Sequence, residues 1–343
     1  MNAYVGCRTT KERNASGKGI RVYEVSGDGS WDLRQTLETF PNPSYLCLDK
    51  EKQFLYSVHG DYSEISAFSI AADGSLSYLN TVSTYGVNPV HLSIHRSNRF
   101  IYVANLQSGN ISVLERNPDG RLGRVTQYVA LQGRSVATSS HPHQVNHDEK
   151  GEFLIVSAQG RLQGRGGVTV FSIGDDGHLF KEQHVLSREK AEPRHTAFHP
   201  NNRYCYGVNE IDCTVTVYDF QAGHLAPKQI ISILRDSYTG DGWASGIVVE
   251  PKGRYLYVSD RKQNSISCLS IDQETGRLRF VDDTQTEGLQ PRFICLDHLG
   301  TGIVAANEMS DTIKFYNIDL GSGRLVYSGQ TINTETPVCV VYR

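Results

Sequence analysis

The chain has 343 residues, 38% of them hydrophobic, with 34 Lys plus Arg against 37 Asp plus Glu for a net charge of −3. No apolar run approaches the roughly 18 residues of a membrane span, and the slight acidity argues against nucleic acid as the main partner, because phosphate binding needs a net basic face. Met1–Gly6 has no basic patch followed by an apolar stretch, so no secretory leader is expected; seven Cys, none spaced C-x-x-C, argue against a zinc ribbon or disulfide framework and suit a reduced, cytoplasmic chain.

In chain order, Ala3–Cys7, Gly19–Val25 and Ser30–Glu38 read as strands. A repeated hairpin follows: a Pro, a strand, a short turn, a second strand, and a residue 17 positions after the Pro. It runs from Pro43 to Gly60, Pro89 to Leu106, Pro142 to Gln159, Pro193 to Glu210 and Pro291 to Glu308, and from Ala244 to Arg261 with Ala in the Pro slot. Each hairpin is followed by two more strands; in the second unit the four are Val90–His95, Arg99–Ala104, Asn110–Glu115 and Gly123–Val129. A Gly-containing turn precedes the last strand of each unit, at Gly29, Gly74, Gly120, Gly177, Gly223, Gly276 and Gly323, 45 to 57 residues apart. Such a glycine supplies the positive φ of a tight hairpin, and a period of this size with four short strands is propeller construction. Pro337–Tyr342 supplies the first strand that the N-terminal three lack. The expected fold is all-β: one seven-bladed β-propeller domain over residues 1–343, four antiparallel strands per blade, with the two chain ends sharing one blade and closing the ring.

The hairpin puts the residue after the Pro and the residue 17 later on one face of the disc, near its axis. The same face carries the long insertions Arg8–Lys18, Gln132–Ser140, Gly160–Gly167 and Arg235–Trp243, and variable loops on a rigid scaffold are where binding and catalysis sit. The first column reads Ser44, Val90, His143, Arg194, Ser245, Arg292, Val338; the second reads Arg8, Gly60, Leu106, Gln159, Glu210, Arg261, Glu308. A His, two Glu and four Arg around one axis suit an anionic substrate and acid–base chemistry. His143 is a candidate general base, hydrogen-bond donor or packed histidine. Arg194 and Arg261 are candidate ligands of a carboxylate or phosphate, since guanidinium forks match both, and also candidate partners of Glu210. Glu210 either activates water or holds the arginines, and Arg292 pairs with Glu308 or binds substrate. His141 could join His143 in a metal pair. His95, His195 and His199 lie on strand or turn positions off the column and read as packed histidines. Asn209, Asp260 and Asn307, one step before the second column, read as turn residues, although some propellers use such residues for a cation.

At His143, Arg194-His195, Asn209-Glu210 and Asp260-Arg261 the chain resembles the seven-bladed propeller lactonases, which include a bacterial 6-phosphogluconolactonase and a fungal 3-carboxy-cis,cis-muconate cyclase. Tyr4-Val5-Gly6 with Lys18-Gly19-Ile20 and Tyr23 is typical of that family. The most specific match runs from Glu192-Pro193-Arg194-His195 through Phe198-His199-Pro200 to Val208-Asn209-Glu210, and the resemblance covers nearly the whole chain. It implies that His143, Arg194, Glu210 and Arg261 line the central site. The activity expected first is hydrolysis of a sugar lactone, 6-phosphogluconolactone foremost. His143 or Glu210 would take the proton of water, Arg194 and Arg261 would face the oxyanion or the phosphate, and Arg292, Glu308, Arg8 and Gln159 would help bind substrate. No metal and no cofactor is required, and the expected partner is a small anionic lactone or carboxylate. The rival readings are a cycloisomerase acting on a tricarboxylate, a metal-dependent lactonase and a non-catalytic binding platform; against the last, the Gly-His and Trp-Asp signatures of scaffold propellers are lacking.

Overall fold

The computed structural model describes residues 1–162 and 164–343; Gln163, within the Gly160–Gly167 insertion, lies outside the described residues. The described strands form seven four-stranded antiparallel sheets, six of them from consecutive strands. The seventh pairs Pro337–Tyr342 with Asn2–Cys7, then Ile20–Val25 and Trp31–Leu37, so both chain ends share one blade as expected. Counting blades from Pro43, the innermost strands touch in sequence around the axis, and Pro337–Tyr342 of blade seven contacts Pro43–Leu48 of blade one. The ring therefore closes with strand pairing rather than with a free edge.

Alternate residues of a strand face opposite sides of its sheet, so each blade presents two apolar faces to its neighbours. Tyr206, Val208, Val215 and Val217 of blade four, for example, pack with Leu256, Val258, Leu269 and Leu278 of blade five. The outermost strands, such as His224–Ser232, are largely exposed. All seven turn glycines have positive φ, from 68° to 89°. They also leave room for a neighbour: a Cβ on Gly177 would stand 2.4 Å from Cγ of Phe100 in the preceding blade.

The same turns carry a lock between blades. Tyr4, Tyr56, Tyr102, Tyr206 and Tyr257, at one register position of the second strand, donate their hydroxyls to the carbonyls of Gly74, Gly120, Gly177, Gly276 and Gly323 of the following blade, at 2.8 to 3.1 Å. Tyr102→Phe leaves the Gly177 carbonyl without this donor in a buried setting. It is expected to lower stability by about 1–2 kcal/mol, measured as a reduced urea midpoint with unchanged slope.

One irregularity positions the site. In blades one to four and six the pairing skips the residue after the Pro: Pro193 opposes Asn209 and His195 opposes Val208, leaving Arg194 as a bulge. His143, Ser44, Val90 and Arg292 occupy the same bulge. A bulge re-aims its side chain out of the alternation of the strand. All seven cysteines are free, and no helix among the described residues is long and apolar enough to cross a membrane.

Candidate active site at the mouth of the central channel

Of the fourteen column residues, the structure brings the eight candidates, His143, Gln159, Arg194, Glu210, Arg261, Arg292, Glu308 and Arg8, together in two clusters around two glutamates. The first is built on Glu210, at the end of the second strand of blade four. Its Oε1 accepts from Arg261 Nη2 at 2.6 Å and from the indole Nε1 of Trp243 at 2.7 Å. Its Oε2 accepts from Gln159 Nε2 and lies 3.7 Å from Arg194 Nε. Burial alone would push the Glu210 carboxyl up; Arg261 and Arg194 more than offset that and hold it well below the usual carboxylate range. Both oxygens are thus committed, and the group is a poor proton acceptor near neutral pH.

Arg261 is lowered to about 10, first by burial, with Glu210 countering, so it stays charged at neutral pH. Its Nη2 also donates to the Ala244 carbonyl at 2.9 Å. Arg194 is pressed downward by burial and then by Arg261. Its Nη1 donates to the Ser245 carbonyl at 2.9 Å, while its Nε, buried, makes no hydrogen bond.

The second cluster is built on Glu308 of blade six. Arg8 reaches it across the ring closure, Nε to Oε1 at 3.0 Å, and Arg292 Nη1 stands 3.8 Å from Oε2. Gln290 donates to the same Oε2 at 2.9 Å. Arg8 also meets Asp61, which Arg13 of the Arg8–Lys18 insertion grips at both oxygens. Arg292 is the most accessible of the four central arginines, its side chain 20% exposed against 5% or less for the others. Four guanidiniums face two carboxylates here, a surplus of two positive charges in a largely buried site.

His143 is 5% exposed, its Nδ1 makes no hydrogen bond, and burial followed by Arg194 holds the imidazole well below its ordinary 6.5, so it is neutral. Its ring meets that of His195 at 5.1 Å between centroids. His195 lies one position off the column, yet it turns to the axis and packs on His143. It joins the site, with both ring nitrogens 3.2 Å from Arg194 Nη1. The bulge is the reason: it inserts one residue, so the residue two after the Pro turns to the axis as well. In this second register Tyr45 meets Phe293 at 6.2 Å and His91 meets His195 at 5.7 Å, pairs that skip a blade and so meet across the axis. These rings form a floor one residue deeper than the charged layer. The column Tyr45, His91, His195, Phe293 was present in the sequence, but strict alternation assigns it to the other face.

The remaining candidates have other partners. His141 Nδ1 bonds the Leu106 carbonyl at 2.8 Å. His199 bonds the Gly253 carbonyl, and its Nδ1 accepts from Asn201 N; His95 bonds Ser97 Oγ. Asn209 bonds Thr214 and Thr216, Asn307 bonds the Thr286 carbonyl and Thr312, and Asp260 accepts from the backbone of Trp243, Lys262 and Gln263. Trp243 closes the Arg235–Trp243 insertion and was not singled out by the columns. A cavity of about 400 Å³ opens onto Glu210 and Gln159 and is walled by Ile211, Arg161 and Lys190.

Comparison with known proteins identifies the family. A 6-phosphogluconolactonase of Erwinia tasmaniensis is 32% identical over 326 residues, 94% of each chain. A 6-phosphogluconolactonase of Bacillus subtilis is 27% identical over 351 aligned positions, 100% of this chain and 99% of its own. The solved structure of a Bacteroides fragilis protein matches with a TM-score of 0.88 at 25% identity, over 99% of this chain and 97% of that one. Residues 2–342 match the family described as lactonase, seven-bladed β-propeller, and the chain belongs to that family.

Proposed function

We propose that the protein hydrolyses 6-phosphogluconolactone to 6-phosphogluconate at the mouth of the channel. The observation that carries this reading is the buried surplus of two positive charges beside a neutral imidazole with an unpartnered nitrogen. A phosphate monoester carries about two negative charges near neutral pH, which that surplus complements. The activity named for the Erwinia tasmaniensis and Bacillus subtilis relatives supports the same substrate.

Lactone hydrolysis needs an attacking water and a stabilised oxyanion. His143 is the base: its neutral imidazole accepts a proton as water adds to the lactone carbonyl. The C–O bond to the ring oxygen then breaks, and the proton passes from His143 to that oxygen. Arg194, held between Glu210 and the Ser245 carbonyl, turns its guanidinium to the oxyanion of the tetrahedral intermediate. Arg292, the accessible arginine with the longer ion pair, binds the phosphate. Glu210 anchors Arg194 and Arg261 in place. Burial is the larger cause of the lowered basicity of His143; bound phosphate would offset only the smaller contribution, that of Arg194. None of these steps calls on a metal.

The test is the rate of 6-phosphogluconolactone hydrolysis by the purified protein against the spontaneous blank, with and without a chelator. A clear, chelator-insensitive acceleration is expected, falling about a hundredfold in His143→Asn. Because the free imidazole lies well below 6.5, kcat/KM should stay flat through neutral pH and fall only in more acidic solution, where His143 becomes protonated. No acceleration would move the reading to cycloisomerisation of a carboxymuconate; activity lost to the chelator would favour a metal-dependent lactonase.

A further inference from the structure

We infer that Trp243 is a positioning residue: its indole fixes the Glu210–Arg261 pair from two sides, so that the insertion between blades four and five is part of the catalytic machinery. Its kinetic consequences rest on the lactonase reading; its geometry does not.

The indole does two things at once. Its Nε1 donates to Glu210 Oε1 at 2.7 Å, the oxygen that also receives Arg261 Nη2. Its face carries the Arg261 guanidinium, with Cζ 3.7 Å from the ring centroid. A cation stacked this closely on Trp is held both in place and in plane. The backbone completes the bracket, because the Trp243 carbonyl accepts from Arg261 N at 2.9 Å and from Arg261 Nε at 3.3 Å.

Trp243 is itself pinned from behind. Its N–H donates to Asp260 Oδ2 at 2.8 Å, and Asp260 is fully buried. The other oxygen of Asp260 takes the N–H groups of Lys262 and Gln263, and Cys213 Sγ lies 3.5 Å from Oδ2. The residue before Trp243 has no room for a side chain: a Cβ on Gly242 would stand 2.3 Å from Cys213 Sγ and 2.8 Å from Asp260 Oδ2. Cys213 and Asp260 thus form a seat, Gly242 lets the loop settle into it, and the indole is delivered onto the acid–arginine pair. Because Glu210 also meets Arg194, a tilt of the indole is transmitted to both arginines that face the reacting group. Misplacing such groups by about 1 Å is enough to cost orders of magnitude in rate.

Two kinds of measurement test this. Trp243→Phe keeps a flat ring under Arg261 but removes the N–H donor. It is expected to lower kcat about tenfold with KM little changed, and Trp243→Leu, which removes both features, to lower it further. An unchanged kcat in Trp243→Phe, or a loss that only tracks the folded fraction measured by circular dichroism, would overturn the proposal. The second measurement needs no turnover. The chain has two Trp, and Trp31 packs apart from the site among Tyr23, Phe315 and Tyr342. In a Trp31→Phe background the emission reports Trp243 alone. Arg261→Lys keeps the charge but removes the stacked plane, and Glu210→Gln alters the bonded oxygen; each is expected to shift that emission. Emission identical in all three proteins would show that the indole is uncoupled from the pair. Absence of lactonase activity in the wild type would overturn the proposed function and leave this spectral comparison to decide the positioning role.

Discussion

Replacing Arg194 with alanine is expected to lower kcat/KM for 6-phosphogluconolactone about a thousandfold, in a protein that still folds. Arg194 is 3% exposed and anchored by the Ser245 carbonyl, so its guanidinium is already immobile before substrate arrives. Its Nε is buried without a hydrogen bond, with Glu210 Oε2 3.7 Å away. On the proposed mechanism this guanidinium faces the charge that develops during reaction. Removing one preorganised oxyanion donor costs about 10²–10³ in rate, and here a positive charge facing a dianionic substrate is lost too. Arg194→Lys should not restore the rate, because an ammonium cannot reproduce a planar fork held between His195 and Ser245. The measurement is steady-state hydrolysis against the uncatalysed blank. A fall in kcat together with a rise in KM places Arg194 on both substrate and transition state, whereas kinetics like those of the wild type would remove it from the site.

Glu210→Gln should cost stability as well as activity. The carboxylate is 8% exposed and pairs with two arginines that are each more than nine-tenths buried. Breaking a buried ion pair by removing one partner costs about 3–5 kcal/mol, because the opposite charge stays behind without compensation. Chemical denaturation at neutral pH checks the loss, and wild-type stability would reduce the pair to a weak contact. The pH dependence provides a second check. The Glu210 carboxyl is depressed in the folded protein relative to its ordinary 4.5, so its contribution is complete above that value. It is lost as the pH falls below 4.5 toward the folded value. The wild type should therefore lose more stability on acidification than Glu210→Gln, whose amide does not titrate.

The repeat was legible because it is written in local chemistry. A Pro in the opening slot of six of the seven inner strands, a glycine at a positive-φ turn, and period-two alternation need no knowledge of distant contacts. Their recurrence at a propeller-sized interval implies seven blades and a shared closing blade. The two columns were legible for the same reason: once the hairpin is known, Pro193 and Glu210 must come together. Arg8 and Glu308 could be placed near each other from ring closure alone, and they lie 3.0 Å apart.

Tertiary structure alone decided what alternation hides. The bulge after the Pro adds one residue to the register, and so turns His195 and His91 to the axis beside Arg194, where a strict two-residue period places them on the far face. Trp243 carries no periodic signal, because it lies in an insertion whose path depends on a buried Asp and on a Cys in a turn of blade four. The division of roles among the charges was equally out of reach. A sequence places four arginines and two glutamates around an axis, but which oxygen is committed, which guanidinium is left with an open donor and which imidazole is kept neutral by burial depend on distances of a few ångströms between blades. Local sequence determines the scaffold and the ring of candidates; packing between blades determines which of them is free to act.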